Sequence, residues 1–168
     1  MLQRITARHA AIGVVVTAIA TIGGALISEH VFGLVPCNLC LWQRQPYYWG
    51  IPLAILVALA PAHLLRAGLA MVAVVFLVSA GLGAYHSGVE WGWLLGPSDC
   101  GGGSGAAPGA VGDFLSSLNN VRVVSCTEAA WRFLGLSLAG WNALASLAIS
   151  ALAAYGAVRP QGSSSVSQ

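Results

Sequence analysis

Four long apolar stretches constrain this chain more than any other feature of its sequence. They cover residues 10–27, 47–60, 67–85 and 136–158. A helix that crosses a bilayer needs about 20 apolar residues, and the first, third and fourth stretches meet that length unaided. Charged residues make up only 7% of the chain, which is too few to cover a surface that faces water. The sequence therefore predicts an all-α membrane protein, a single domain built as a bundle of four transmembrane helices.

The second stretch is the weakest of the four, because Pro61 closes it early. It reaches across a membrane only if its helix begins near Cys37, which would draw Gln43 and Arg44 toward the outer interface. Pro46 is expected to kink that helix. We expect spans at about 10–28, 42–60, 67–86 and 136–157, outer loops at about 29–41 and 87–135, and a flexible tail at 159–168.

The start of the chain has one alternative interpretation, a cleavable signal peptide. Arg4 and Arg8 precede the first apolar stretch, as basic residues do in such peptides. However, Ser28-Glu29-His30 is a poor cleavage context, and no small-x-small site follows the stretch. We therefore expect the first helix to be retained.

The distribution of charge predicts the orientation. With four spans, Arg4, Arg8, Arg66 and Arg159 fall on one side, and all five acidic residues fall on the other. Arginines in short loops mark the cytoplasmic face, so both termini are expected in the cytoplasm. The net charge of +2 is small and scattered, which argues against a nucleic-acid partner.

All four cysteines, Cys37, Cys40, Cys100 and Cys126, fall in the two outer loops. Disulfides persist outside a bacterial inner membrane, so we expect that location, with the cysteine loops in the periplasm. Four cysteines allow three pairings, and the spacing favours Cys37–Cys40 with Cys100–Cys126. The alternatives are two structural disulfides or a metal site. No metal is predicted, because Cys37-x-x-Cys40 lacks two further ligands at a suitable spacing.

The Cys37–Cys40 pair favours a redox function over a structural one. A bridge across so short a loop restrains little chain entropy and stabilises little. A helix N-terminus, in contrast, lowers the pKa of a thiol and keeps a thiolate available. Arg44 lies on the same helical face, at i+7 from Cys37. Its charge can stabilise a thiolate on Cys40 or an anionic electron acceptor, unless it only snorkels to lipid headgroups.

His86 and Glu90 lie four residues apart at the end of the third stretch and share a helical face. They can donate hydrogen bonds or shuttle protons to an acceptor reduced there. The alternative is that they are interfacial polar residues within an aromatic belt that includes Trp91 and Trp93.

The long outer loop has the composition of a mobile segment around one cysteine. Cys100 stands between Pro97 and a glycine-rich run, which would present it in extended form to a partner. Farther along, apolar residues at helical spacing predict a short amphipathic helix on the membrane surface, at Val111, Phe114, Leu115 and Leu118.

Two sequence elements closely resemble the disulfide bond formation protein B (DsbB) family of quinone-linked oxidases. They are Cys37-Asn38-Leu39-Cys40-Leu41-Trp42-Gln43-Arg44 and the segment from Cys126 to Leu136, within a chain that resembles the family over nearly its whole length. The resemblance implies an inner-membrane protein-disulfide oxidoreductase. It would reoxidise a periplasmic thioredoxin-like carrier of the DsbA type and pass the electrons to ubiquinone or menaquinone.

The resemblance also implies a role for each site residue. Cys100 would form the mixed disulfide with the carrier, and Cys126 would pass electrons to Cys37 through a transient bridge. Cys40 would be the thiolate that faces the quinone, and Arg44 would stabilise charge on the quinone. His86 and Glu90 would lie near it. The chain departs from the family in its glycine-rich insert, in Pro46 and Pro52, and in Gln43, where some members carry an acidic residue.

Three other interpretations remain open from the sequence. A quinone reductase resembling vitamin K epoxide reductase also has a four-helix core and a Cys-x-x-Cys motif, but there the motif comes late in the chain. A non-catalytic membrane scaffold would use both cysteine pairs as structural disulfides. A paralogue of the oxidase would serve one dedicated partner.

Overall fold

A computed structural model of the chain describes residues 7–97 and 125–158. The predictions made for Cys100, for the amphipathic helix near 111–118 and for the tail at 159–168 lie outside the described residues.

The described residues form four long helices and one very short hairpin. The helices are α1 (Ala7–His30), α2 (Asn38–Leu59), α3 (Ala62–Glu90) and α4 (Leu138–Val158). Two strands, β1 (Arg132–Phe133) and β2 (Leu136–Ser137), pair antiparallel just before α4. The sequence analysis did not predict this hairpin. Its turn residues Leu134 and Gly135 both have positive φ, 52° and 79°, as a two-residue hairpin turn requires.

Three of the described helices, α1, α3 and α4, are long and apolar enough to cross a membrane. Helix α2 begins at Asn38, so the expectation of a start near Cys37 is confirmed, and it continues through Pro46 and Pro52. Its 22 residues correspond to about 33 Å, but polar residues in its first half lower its hydropathy. The fourth span therefore remains a prediction.

Helix α3 packs most extensively against α4, and α1 packs against both α2 and α4. Small residues permit these approaches. A methyl group on Gly83 would lie 2.9 Å from the backbone nitrogen of Ala143, and one on Gly156 would lie 2.7 Å from Ala10 Cβ. The bundle exterior is strongly apolar, since many large aliphatic side chains on all four helices are more than 40% exposed. Such an exterior fits lipid and not water.

The two ends of the bundle differ in how they are closed. At the end away from Cys37, Arg8 donates to the carbonyl oxygen of Ala60 at 3.2 Å, and Arg66 donates to that of Ala157 at 2.8 Å. Both arginines thus satisfy carbonyls at helix C-termini. At the cysteine end, the hairpin covers the end of α3, where the guanidinium carbon of Arg132 lies 4.9 Å from the ring centre of Trp91.

Candidate functional site

The thiol pair stands at the first turn of α2. Cys37 is the N-cap residue, with extended backbone angles, and its Sγ accepts a hydrogen bond from the Cys40 backbone N–H at 3.3 Å. A sulfur at this position takes the place of the oxygen that usually caps a helix. The two Sγ atoms are 3.1 Å apart and both cysteines are free thiols. The structure thus describes the dithiol form of the pair.

The two thiols differ in acidity. The pKa of Cys37 is lowered to about 4, chiefly because the Cys40 thiol donates a hydrogen bond to it, with further help from His86. The pKa of Cys40 is raised above its ordinary value, because Cys40 holds the proton of that hydrogen bond and is also buried. The dithiol therefore carries one negative charge, centred on Cys37. A thiolate on Cys40, which the resemblance implies, requires the Cys40 proton to move first.

His86 and Glu90 reach the thiol pair from α3. His86 Nε2 lies 3.6 Å from Cys37 Sγ and 3.7 Å from Glu90 Oε1. Their side chains are only 2% and 5% exposed, so the alternative of interfacial polar residues is wrong. Glu90 Oε2 is buried without a hydrogen-bond partner. Both residues lie on the α3 side of Cys37. That they contact a quinone stays a prediction.

Three ligand atoms lie close enough to hold a metal ion. Cys37 Sγ, Cys40 Sγ and a ring nitrogen of His86 are within 4.8 Å of one another. The sequence analysis expected no metal because it found no further ligand near the cysteines, and His86, which is 49 residues from Cys37, supplies one. Metal binding would compete with a disulfide, because both use the same two sulfurs.

Arg44 has a partner that the sequence analysis missed. Its Nη1 donates to Glu29 Oε2 at the end of α1, and the two side chains are 12% and 29% exposed. The sequence did offer one indication of this partner, because Glu29 is the acidic residue nearest the end of the first apolar stretch. Arg44 is therefore held in place by an ion pair, and free snorkelling does not describe it.

A cavity of about 430 Å³ opens between α1, α2 and α4 beside these residues. Its wall is largely apolar, and its polar lining residues are Thr21, Ser28, Glu29, Cys40, Gln43, Arg44, Tyr47 and Asn142. That size and lining suit a small, mostly apolar ligand. Of the two cysteines in the pair, Cys40 lines the cavity and Cys37 does not. Among the described residues, His86 and Glu90 are also absent from the cavity wall.

Cys126 joins the site from the hairpin side. It is 1% exposed and packs in one buried cluster with Cys37, Leu39 and Val89, while Cys40 packs against that cluster. Cys126 is disulfide-bonded, and neither Cys37 nor Cys40 is its partner. The predicted pairing with Cys100 lies outside the described residues. The structure thus brings three of the four predicted cysteines together.

Several polar residues of the site were not predicted, notably Gln43, Tyr47 and Asn142. Gln43 and Tyr47 are 6% and 1% exposed, and Asn142 hydrogen-bonds to both. A signal did exist in α4. Asn142, Ser146 and Ser150 stand four residues apart, so they form one polar stripe on an otherwise apolar helix. Polar residues inside a spanning helix face the bundle interior and mark function.

Comparisons with known proteins decide the family. The model of the family "Disulfide bond formation protein DsbB" matches residues 7–156. The chain belongs to the DsbB family. A disulfide bond formation protein B of Marinobacter nauticus is 32% identical over 127 residues, which cover 71% of this chain and 73% of the relative.

Two further relatives share slightly lower identity with the chain. A disulfide bond formation protein B of Aromatoleum aromaticum is 27% identical and covers 90% of this chain and 92% of its own length. An uncharacterised protein of Rickettsia prowazekii is 29% identical and covers 79% of this chain and 77% of its own length. No solved structure matches the chain. DsbB membership and the apolar helices support a membrane oxidoreductase that forms disulfides, and they favour it over the non-catalytic scaffold.

Proposed function

We propose that this DsbB-family protein oxidises a periplasmic DsbA-type dithiol carrier and passes the electrons through two cysteine pairs to a membrane quinone. One observation carries the proposal: the two sulfurs of the dithiol have different neighbours. Cys40 lines the cavity between the helices, and Cys37 packs with Cys126. This difference supports a path in which Cys37 receives electrons from a donor disulfide in the outer loop and Cys40 passes them to an acceptor in the membrane.

The cavity fits the acceptor that the family implies. A quinone ring is flat and largely apolar, and its two carbonyl oxygens accept hydrogen bonds. The cavity wall is largely apolar, with N–H donors on Arg44, Gln43 and Asn142. When bound, a ubiquinone or menaquinone would accept two electrons and two protons. Cys40 and Arg44 in the cavity wall would contact it, and the apolar part of the wall would exclude water from it.

The thiol steps balance without any further oxidant. The carrier's first thiolate attacks Cys100 of a Cys100–Cys126 disulfide and releases Cys126, and the carrier's second thiol then resolves the mixed disulfide and releases Cys100. Cys126 attacks Cys37 of a Cys37–Cys40 disulfide and releases Cys40 as a thiolate toward the cavity. Cys100 then attacks Cys126 in this bridge and frees Cys37.

Reoxidation closes the cycle. Cys37 and Cys40 would return to a disulfide as two electrons, the Cys40 proton and one further proton from water pass to a bound quinone. The structure describes Cys126 in a disulfide and the inner pair as free thiols. In the proposed cycle, that combination corresponds to the stage at which the electrons have reached the inner pair. We place the protein in the bacterial inner membrane, with both termini in the cytoplasm, on the strength of its arginine distribution.

The test uses the full-length protein in detergent with a reduced DsbA-type carrier and a soluble quinone. We expect the wild type to reduce the quinone, as followed by its absorbance, and to oxidise the carrier in equal amount. Cys40→Ala should lower turnover by at least about a thousandfold, because the nucleophile is lost. No quinone reduction by the wild type, or unchanged reduction by Cys40→Ala, would overturn the proposal.

A further inference from the structure

A continuous chain of side-chain hydrogen bonds crosses the bundle and ends at the thiol pair. We call it the amide relay. It draws residues from α2, α3 and α4, in the order Ser79, Ser146, Tyr47, Asn142, Gln43 and His86. The hydroxyl oxygens of Ser79 and Ser146 are 2.9 Å apart, and Ser146 lies 2.8 Å from the Tyr47 hydroxyl. Most members are almost completely buried, so a bond left unmade there is costly.

The two amides give the relay a direction. Tyr47 O–H donates to Asn142 Oδ1 at 2.8 Å, and Asn142 Nδ2 donates to Gln43 Oε1 at 2.6 Å. An amide has its acceptor on one end and its donors on the other. Because the oxygen of Gln43 faces Asn142, its Nε2 must face His86, and it lies 2.5 Å from His86 Nδ1.

This direction selects one tautomer of His86. An amide nitrogen can only donate, so His86 Nδ1 must accept and therefore carries no proton. The proton of the neutral ring then resides on Nε2, the nitrogen that faces Cys37 Sγ and Glu90 Oε1. Which nitrogen of a histidine is protonated is commonly set by the bond that the other makes.

We propose that the amide relay holds His86 with its proton on Nε2, so that His86 donates a hydrogen bond to the Cys37 thiolate. Gln43, Asn142 and Tyr47 are then positioning residues, because they act on the reactive sulfur only through His86. The inference deepens the proposed function and rests on it only in treating the dithiol as the reactive pair.

The proposal assigns His86 the role of donor to sulfur and not of base for a thiol proton. The other groups that face Cys37 are Cys40 on its own helix, Glu90 on α3, and the disulfide-bonded Cys126. Arg44 and Glu29 pair with each other on the cavity wall. Of these groups, Glu90 competes with Cys37 for the His86 proton.

The first measurement is the tautomer itself. Nitrogen NMR of the reduced, quinone-free protein with labelled histidine distinguishes a protonated Nδ1 from a protonated Nε2, and the His86 signal is assigned by its loss in His86→Asn. We expect the proton on Nε2 in the wild type. Gln43→Glu keeps the size of the side chain but presents an acceptor, so it should move the proton to Nδ1. A wild-type proton on Nδ1 would overturn the proposal.

The second measurement is the pH dependence of alkylation of Cys37, with the labelled peptide identified by mass spectrometry. Gln43→Leu should raise the midpoint by about one pH unit, which is a tenfold loss of thiolate at any pH below the midpoint. Tyr47→Phe keeps its ring packed on Phe76 and should cause a smaller loss, about threefold, because it cuts the relay two links farther away.

Two matched variants control for general effects. Tyr48→Phe removes a hydroxyl from the neighbouring exposed residue. Ser150→Ala removes a buried hydroxyl that donates to the Ala73 carbonyl outside the relay. Both should leave the midpoint and the tautomer unchanged. If folded Gln43→Leu matches these controls, the inference fails, whatever the quinone assay shows. A wild type without quinone turnover would sink the proposed function and leave this inference standing.

Discussion

The two sides of the Cys37–Cys40 pair have opposite characters. On the cavity side, Cys40 shares a largely apolar wall with Arg44, whose ion pair with Glu29 is partly exposed. On the helix side, Cys37 faces His86 and Glu90, which are nearly inaccessible. An acceptor in the cavity therefore meets one sulfur and a permanent positive charge. The protein controls the other sulfur through buried groups that an acceptor in the cavity cannot touch.

The largest effect should come from the cavity side. Arg44→Ala removes the positive charge and leaves the Glu29 carboxylate unpaired in the wall. We expect kcat/KM for the quinone to fall by about a hundredfold, while the carrier still forms a mixed disulfide through Cys100. Stopped-flow absorbance gives the first quantity, and non-reducing gels give the second.

A double variant separates charge repulsion by Glu29 from loss of the arginine. Arg44→Ala with Glu29→Gln should recover part of the lost rate but not all of it, since the unpaired carboxylate is gone and the arginine is still missing. If Arg44→Ala and the wild type have equal quinone kinetics, Arg44 pairs with Glu29 and has no role toward the quinone.

A change on the helix side should affect rate and not quinone affinity. His86→Ala removes the donor to Cys37, so at a pH below the Cys37 midpoint kcat should fall by about tenfold through loss of the thiolate. The KM for the quinone should stay constant, because His86 does not line the cavity. Steady-state kinetics over a range of quinone concentrations checks both. His63→Ala, at the exposed start of α3, is the matched control. An equal fall in kcat in His63→Ala would mean that the effect is not specific to the helix side of the thiol pair.

The most subtle difference concerns pH. Because the pKa of Cys37 is lowered from 9.0 to about 4, reduction of the disulfide takes up one proton between these values and two below them. The reduction potential of the pair should change by about 30 mV per pH unit in that window and by about 59 mV per unit below it. Titration against a dithiol buffer measures the slope.

The same shift sets the sign of the stability change. A lowered pKa stabilises the folded dithiol form fully above pH 9, and this contribution is lost as the pH falls through about 4. Acid should therefore lower the folding stability of the dithiol form relative to that of the disulfide form, while the reduction potential of the pair rises. A slope near 59 mV per unit at neutral pH would mean that no thiolate is present in the pair.

The sequence predicted the helices better than the contacts between them. Helices α1, α3 and α4 follow directly from apolar runs, and helical spacing placed Cys40 and Arg44 on one side of α2, where both line the cavity. Cys37, which was expected on the same face, is the N-cap residue and contacts Cys126 and His86 instead. In contrast, Gln43 and its polar neighbours lower the hydropathy of α2, which leaves its span unconfirmed. The hairpin was missed because two-residue strands carry no periodic signal.

The contact of His86 with Cys37 could not be read from the sequence for a different reason. It depends on how α2 and α3 are rotated and shifted relative to each other, and close packing decides that. The stripe of Asn142, Ser146 and Ser150 was readable but pointed only to the bundle interior. The spacing of these three residues does not indicate which residues of α2 and α3 they contact.

Gly83 stands on α3 between two members of the amide relay, one turn after Ser79 and one turn before His86. The hydrogen atom that serves as its side chain leaves α3 and α4 close enough for the hydroxyl oxygens of Ser79 on α3 and Ser146 on α4 to lie 2.9 Å apart. An added methyl would lie 2.9 Å from Ala143, so the helices would have to separate by a few tenths of an ångström. Hydrogen bonds between rigid helices have little slack. On the proposed relay, the acidity of the Cys37 thiol depends on the close packing of two helices at a glycine that takes no part in the chemistry.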